Sequence, residues 1–127
     1  VEVMLLAPGF KCGDSVGDPC MISVPSVSDY ARVQMVMTLT NSQWNNYLTV
    51  IMPPGHNEEV LINGILIEDL SIQKHSNSEF RWASVKVTPG MHTVSSSKPV
   101  GVFVHGIGYL NNAYDAYGYG GSTVLRR

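Results

Sequence analysis

The sequence predicts an all-β protein, an antiparallel β-sandwich of about nine short strands, with a jelly roll as one way of connecting them. Three observations predict it. Apolar and polar residues alternate at period two through most of the 127 residues. No segment of useful length carries a helical period. Turn signals built on glycine, proline and asparagine recur about every 10–15 residues. With no internal repeat and no linker, residues 1–127 read as one domain.

The N-terminal "VEVMLLAP" and "CMISVP" give two short strands. Between them lies "KCGDSVGDPC", rich enough in Gly and Pro to fold back on itself. A Cys12–Cys20 disulfide closing this loop contributes about 2–3 kcal/mol in the chain-entropy model and implies an oxidising compartment; two free thiols are the alternative. In "VQMVMTLT", Val33, Met35, Met37 and Leu39 share one face, and Gln34, Thr38 and Thr40 share the other with Val36. That is a half-buried strand. "YLTVIMPPG" is another, stopped by Pro53-Pro54.

"EEVLINGILIED" carries the clearest local signal: Asn63-Gly64 between two β-branched runs predicts a type I′ hairpin. "EFRWASVKVTPGMHTVSSSKP" reads as a second hairpin, with Pro89-Gly90 at its turn. The apolar phase shifts inside it. Either a bulge near Ala83-Ser84 returns both apolar pairs to the core, or one pair faces solvent. "PVGVFVHGI" is apolar on both faces, as a central strand is. "STVLRR" gives a last strand, ending in a dibasic tail.

The totals exclude several function classes. Net charge is −2 and charged residues make up 14 %, so there is no electrostatic case for nucleic acid or an anionic membrane. No apolar run approaches the ~20 residues of a membrane helix, so no membrane insertion is expected. The chain opens on Val1 and reads as a processed or excised piece. No Asn-X-Ser/Thr acceptor occurs.

Candidate chemistry is sparse. His56, His75, His92 and His105 show no close ligand spacing. His56 and His75 read as solvated loop residues, and His105 as a buried neutral histidine bonded to backbone. Glu58-Glu59 and Glu68-Asp69 read as edge charges whose members point to opposite faces. Asp14 and Asp18 could hold Ca²⁺, but an organised site shows more carboxylates. No nucleophile elbow or phosphate loop is present. No catalytic residue, cofactor or metal is expected, and the protein is read as not an enzyme.

The stretch "HGIGYLNNAYDAYGYGG" holds four of the six tyrosines. With "PGMHTVSSSKPVGVFVHG" before it, and with "GDPCMISVPSVSDY", "NNYLTVIMPPG" and "VLINGILI" upstream, it resembles the N-terminal domain family of the IgGFc-binding protein. The resemblance runs from about Gly17 to Ser122, with Gly120 where that family usually has proline. It implies a secreted or cell-surface β-domain working in mucus, extracellular matrix or adhesion, without catalysis. It carries no residue motif for antibody binding. Under it, Tyr117, Gly118, Tyr119, Gly120 and Gly121 read as a structural turn whose rings are buried. Tyr109, Asn111, Asn112, Tyr114 and Asp115 read as an exposed interface loop.

The function expected from these readings is a non-catalytic extracellular interaction module. Its partners are other extracellular proteins or glycoproteins, or copies of itself joined by edge-strand addition. The alternative is a carbohydrate-binding sandwich that stacks Tyr109 and Tyr114 on sugar rings. A metal-dependent hydrolase is a third and more distant option.

Overall fold

The computed structural model describes residues 3–7, 10–12, 15–17, 20–24, 26–40, 44–68, 72–74, 76–108 and 116–120, with burial and side-chain contacts from residue 26 onward. It is all-β and antiparallel. The strands are β1 (Val3–Ala7), β2 (Phe10–Cys12), β3 (Ser15–Gly17), β4 (Cys20–Val24), β5 (Ala31–Thr38), β6 (Trp44–Met52), β7 (Val60–Ile62), β8 (Ile65–Leu66), β9 (Gln73–Lys74), β10 (Arg81–Val87), β11 (Gly90–Gly108) and β12 (Ala116–Gly120). A 3₁₀ turn, Val27–Asp29, precedes β5 and is capped by the Ser26 hydroxyl.

Eight strands form one sheet that curls into a half-barrel around β11, which is 19 residues long. The first half of β11 pairs with β5 and β7, the second half with β6 and β12. The two layers of the sandwich are therefore two ends of one sheet. β1–β4 and β2–β3 form separate two-stranded ladders.

The core lies inside the curl. Register explains its membership: Val102 faces Val50 and Val104 faces Leu48 on one side, while Ala83 and Val85 oppose the same two residues from β10. Val36, Val60, Ile62 and Val94 close it from the other layer. The segment 100–108 is central, flanked on both edges, as its two apolar faces predict.

The Asn63-Gly64 hairpin forms, with positive φ at both residues (53° and 79°). The second expected hairpin does not. β10 pairs with β6 and β9, while β11 pairs with β5 and β7, so Pro89-Gly90 is a crossover between layers. Crossover and hairpin turn use the same residues because both need φ > 0 at the glycine, here 118° at Gly90. The register of β10 on β6 is continuous, so there is no bulge at Ala83-Ser84. Ala83 is buried, and Trp82 takes the other face, half-exposed. The bulge is in β11, where the register with β5 shifts between Ser95 and Val100.

Candidate functional site

β5 is half-buried as predicted, but the buried face is the polar one. Gln34, Val36 and Thr38 point inward, and Val33, Met35, Met37 and Leu39 point out. Irregular backbone beside β5 explains the inversion. The bulge frees the Val100 carbonyl, which accepts from Gln34 Nε2 at 2.7 Å. The crossover leaves Thr88 and Gly90 without a continuous ladder, and Thr38 Oγ1 serves both: it donates to Thr88 O (3.0 Å) and accepts from Gly90 N (2.9 Å). Buried polar groups need such partners, and unpaired main chain needs such side chains.

The outward consequence is an apolar face. Val33, Met35, Met37 and Met91 are 63, 57, 52 and 57 % exposed. Met37 lies directly opposite Met91, Met35 opposite Thr93, and Val33 opposite Ser95. The Ser95 row continues to Leu61 and then Leu66. From Val33 to Thr40 and from Val87 to Ser97 there is no Asp, Glu, Lys or Arg. The face is therefore contiguous, rich in methionine and free of formal charge.

At the C-terminal end of β5 the outer main-chain groups of Met37 and Leu39 are held by tyrosines of β12. Tyr117 and Tyr119 alternate with Gly118 and Gly120, so both rings point to the inner side of the sheet. The glycines fall opposite His105 and Phe103. Tyr117 lies opposite Gly106, where a Cβ would sit 2.1 Å from the ring, so only glycine lets the ring lie flat on the strand. Across that glycine the Tyr117 hydroxyl donates to Asn46 Oδ1 at 2.5 Å and accepts from Leu39 N at 3.3 Å. Asn46, fully buried, donates from Nδ2 to Leu39 O at 3.2 Å. The Tyr119 hydroxyl takes both main-chain groups of Met37, accepting from its N–H at 2.8 Å and donating to its carbonyl. Two phenols and one amide thus occupy the outer main-chain groups of Met37 and of Leu39, just past the end of β5. Trp44 packs edge-on to Tyr117 (centroids 5.2 Å, 86°). Burial raises the Tyr117 pKa above its ordinary 10.0, with the Leu39 hydrogen bond lowering it and the Tyr119 charge raising it.

Tyr117–Gly120, expected as a turn with buried rings, thus lie in a strand, Ala116–Gly120, and Tyr119 is 39 % exposed. The sequence signal was available: the Tyr-Gly alternation has period two. Gly121 lies outside the described residues, as do Tyr109, Asn111, Asn112, Tyr114 and Asp115. The burial and contacts of Cys12 and Cys20 also lie outside them.

The three described histidines, His56, His92 and His105, are each held by neighbouring groups. His56 is buried rather than solvated, with Nε2 2.9 Å from Ser96 Oγ and its carbonyl accepting from Arg81. Both ring nitrogens of the buried His92 are engaged, by Asn63 Nδ2 (2.8 Å) and Thr88 O (2.6 Å). His105 is bonded to the Thr49 hydroxyl (3.1 Å) rather than to backbone, and stacks on Tyr47. Burial lowers its pKa. His75 is outside the described residues. Among the described residues no three His, Cys, Asp or Glu side chains converge as metal ligands. A cleft of about 350 Å³ opens beside the β7–β8 hairpin, lined by Ile62, Ile65, Val85, Val87 and His92. Its histidine has no free nitrogen to offer a ligand.

No helix among the described residues is long and apolar enough to cross a membrane. No curated protein and no solved structure matches the chain. The family model described as IgGFc binding protein matches residues 1–106, which takes in β5, its exposed methionine face and the β11 bulge, and stops short of the β12 tyrosines. On that match the chain belongs to the IgGFc-binding protein family, a family of binding domains.

Proposed function

We propose that residues 1–127 are one domain of a secreted protein, and that it works as a non-catalytic interaction module in mucus, matrix or cell-surface assembly. It docks protein partners on the face made by Val33, Met35, Met37 and Met91. The observation that carries this reading is the inversion of β5. A strand that buries glutamine and threonine while leaving two methionines and a valine in water spends stability on its outer face, and contiguous exposed apolar surface of this kind marks interaction sites. Methionine suits the role because its unbranched thioether adapts to partners of differing shape. The absence of charge favours partners with neutral, apolar contact residues.

Edge-strand addition at Met37 and Leu39 is disfavoured, since the tyrosine hydroxyls already hold those main-chain groups. The docking surface in this reading is accordingly the face of the sheet, rather than this end of the β5 edge. The family's name makes the antibody Fc fragment one candidate to assay. No observation favours the carbohydrate reading.

The test places a photo-reactive amino acid at Val33 and, separately, at Lys98 on the exposed bulge. Each protein is irradiated in its native extracellular fluid and with purified Fc. Covalent capture of protein from position 33 but not from 98 supports the reading. Equal capture from both positions, or none from 33, sinks it.

A further inference from the structure

We infer that Met35, Met37 and Met91 form a modification site, at which oxygen transfer from hydroperoxide-class oxidants switches the docking face from apolar to polar. The effect on binding rests on the docking reading above; the modification itself does not.

Three features point to the thioethers. First, all three stand more than half exposed, while Met52 is 2 % exposed in the core of the same domain. Second, they are neighbours. Met35 and Met37 are two residues apart on one face of β5, and Met37 directly opposes Met91, a spacing that puts Cβ atoms about 4.5–5.5 Å apart. One encounter surface therefore presents three sulfurs. Third, they supply three of the four most exposed apolar side chains of β5 and the facing part of β11, in stretches with no formal charge, so a change in their polarity changes the face.

The chemistry is complete with hydrogen peroxide as co-reactant. A sulfur lone pair attacks one peroxide oxygen, the S–O bond forms and the O–O bond breaks. The departing oxygen collects the transferred oxygen's proton and leaves as water. Sulfur loses two electrons and the peroxide gains them. The product sulfoxide is polar and chiral, and enzymatic reduction restores the thioether. The fold tolerates the product because all three side chains stand more than half exposed, and Thr93 lies on the same face directly opposite Met35. Docking covers the three sulfurs, so a bound partner protects them, and oxidised protein docks poorly.

The experiment has two arms. Folded protein is exposed to limiting hydrogen peroxide, and each methionine is followed by peptide mass spectrometry alongside the melting temperature. Met35, Met37 and Met91 should each gain one oxygen at least about ten-fold faster than Met52, with melting unchanged. Met52 keeping pace, or the three remaining intact, overturns the site. The second arm repeats the Val33 cross-linking with reduced and oxidised protein, and with a Met35→Leu/Met37→Leu/Met91→Leu variant. Oxidation should cut capture by the parent about ten-fold and leave the leucine variant unaffected. Equal capture by reduced and oxidised parent overturns the switch and leaves docking standing. No capture by reduced parent instead removes the docking reading, with the mass-spectrometric arm still deciding the site.

Discussion

Replacing Tyr117 with phenylalanine keeps the ring on Gly106 and removes one oxygen. That oxygen donates to Asn46 Oδ1 and accepts from Leu39 N. Asn46 is fully buried, so its Oδ1 loses its donor where water cannot follow, at a cost of about 1–3 kcal/mol. Leu39 is more than a third exposed, and water can satisfy its N–H for roughly nothing. The net expectation is about 2 kcal/mol. With a urea m-value near 2 kcal/mol/M, the midpoint falls by about 1 M. At about 4 °C per kcal/mol for a domain of this length, the melting temperature falls by about 8 °C. Tyr119→Phe is the control. Its hydroxyl serves the solvent-facing Met37 main chain, so its loss costs about 0.5 kcal/mol or less. Urea titrations followed by tryptophan fluorescence report both, with Trp44 against the Tyr117 ring as the local probe. Equal costs for the two variants, or a Tyr117→Phe cost under about 0.5 kcal/mol, would refute the argument that a buried amide depends on this phenol.

Gly106→Ala drives a methyl group into the Tyr117 ring and to 2.8 Å from Asn46 Oδ1, so it should cost about 2–4 kcal/mol, more than Tyr117→Phe, by the same titration. Asn63→Ala loses the bonds to Thr93 N and His92 and strains a left-handed residue, for about 2–3 kcal/mol; Asn63→Gly removes the strain and should recover about 1 kcal/mol of it. Burial lowers the His105 pKa below 6.5, so below that pH the unfolded chain binds a proton that the folded one refuses. Stability is full above pH 6.5 and declines as pH falls from there to the lowered value; His105→Gln should flatten that part of the profile, and an unchanged slope would exonerate His105. At alkaline pH the sign reverses for Tyr117: its raised pKa keeps the folded phenol neutral, so its contribution is whole below pH 10 and lost as pH climbs through the raised value, a loss absent in Tyr117→Phe.

What could be read in advance were features decided by neighbours along the chain. Asn63-Gly64 specifies its turn because two consecutive positive φ angles exclude almost every other pair. The two apolar faces of 100–104 announce a central strand without reference to its partners. Pairing was not legible at Pro89-Gly90, because a glycine at φ 118° serves a crossover as well as a hairpin. The burial of His56 was hidden too, since Ser96 and Arg81, its partners, lie 40 and 25 residues away. The methionine face was hidden for a related reason. Alternation says that a strand has an apolar side, and only the position of the bulge and the crossover says that Gln34 and Thr38 are needed inside. A glutamine and a threonine four residues apart in an apolar strand were the available hint.

Tyr119 and Met37 stand 82 positions apart, and the same phenol meets both main-chain groups of that residue. On the ribosome, β5 emerges long before the ring that covers its rim. A polypeptide terminated ahead of position 117 therefore lacks both phenols that hold the main chain of Met37 and Leu39.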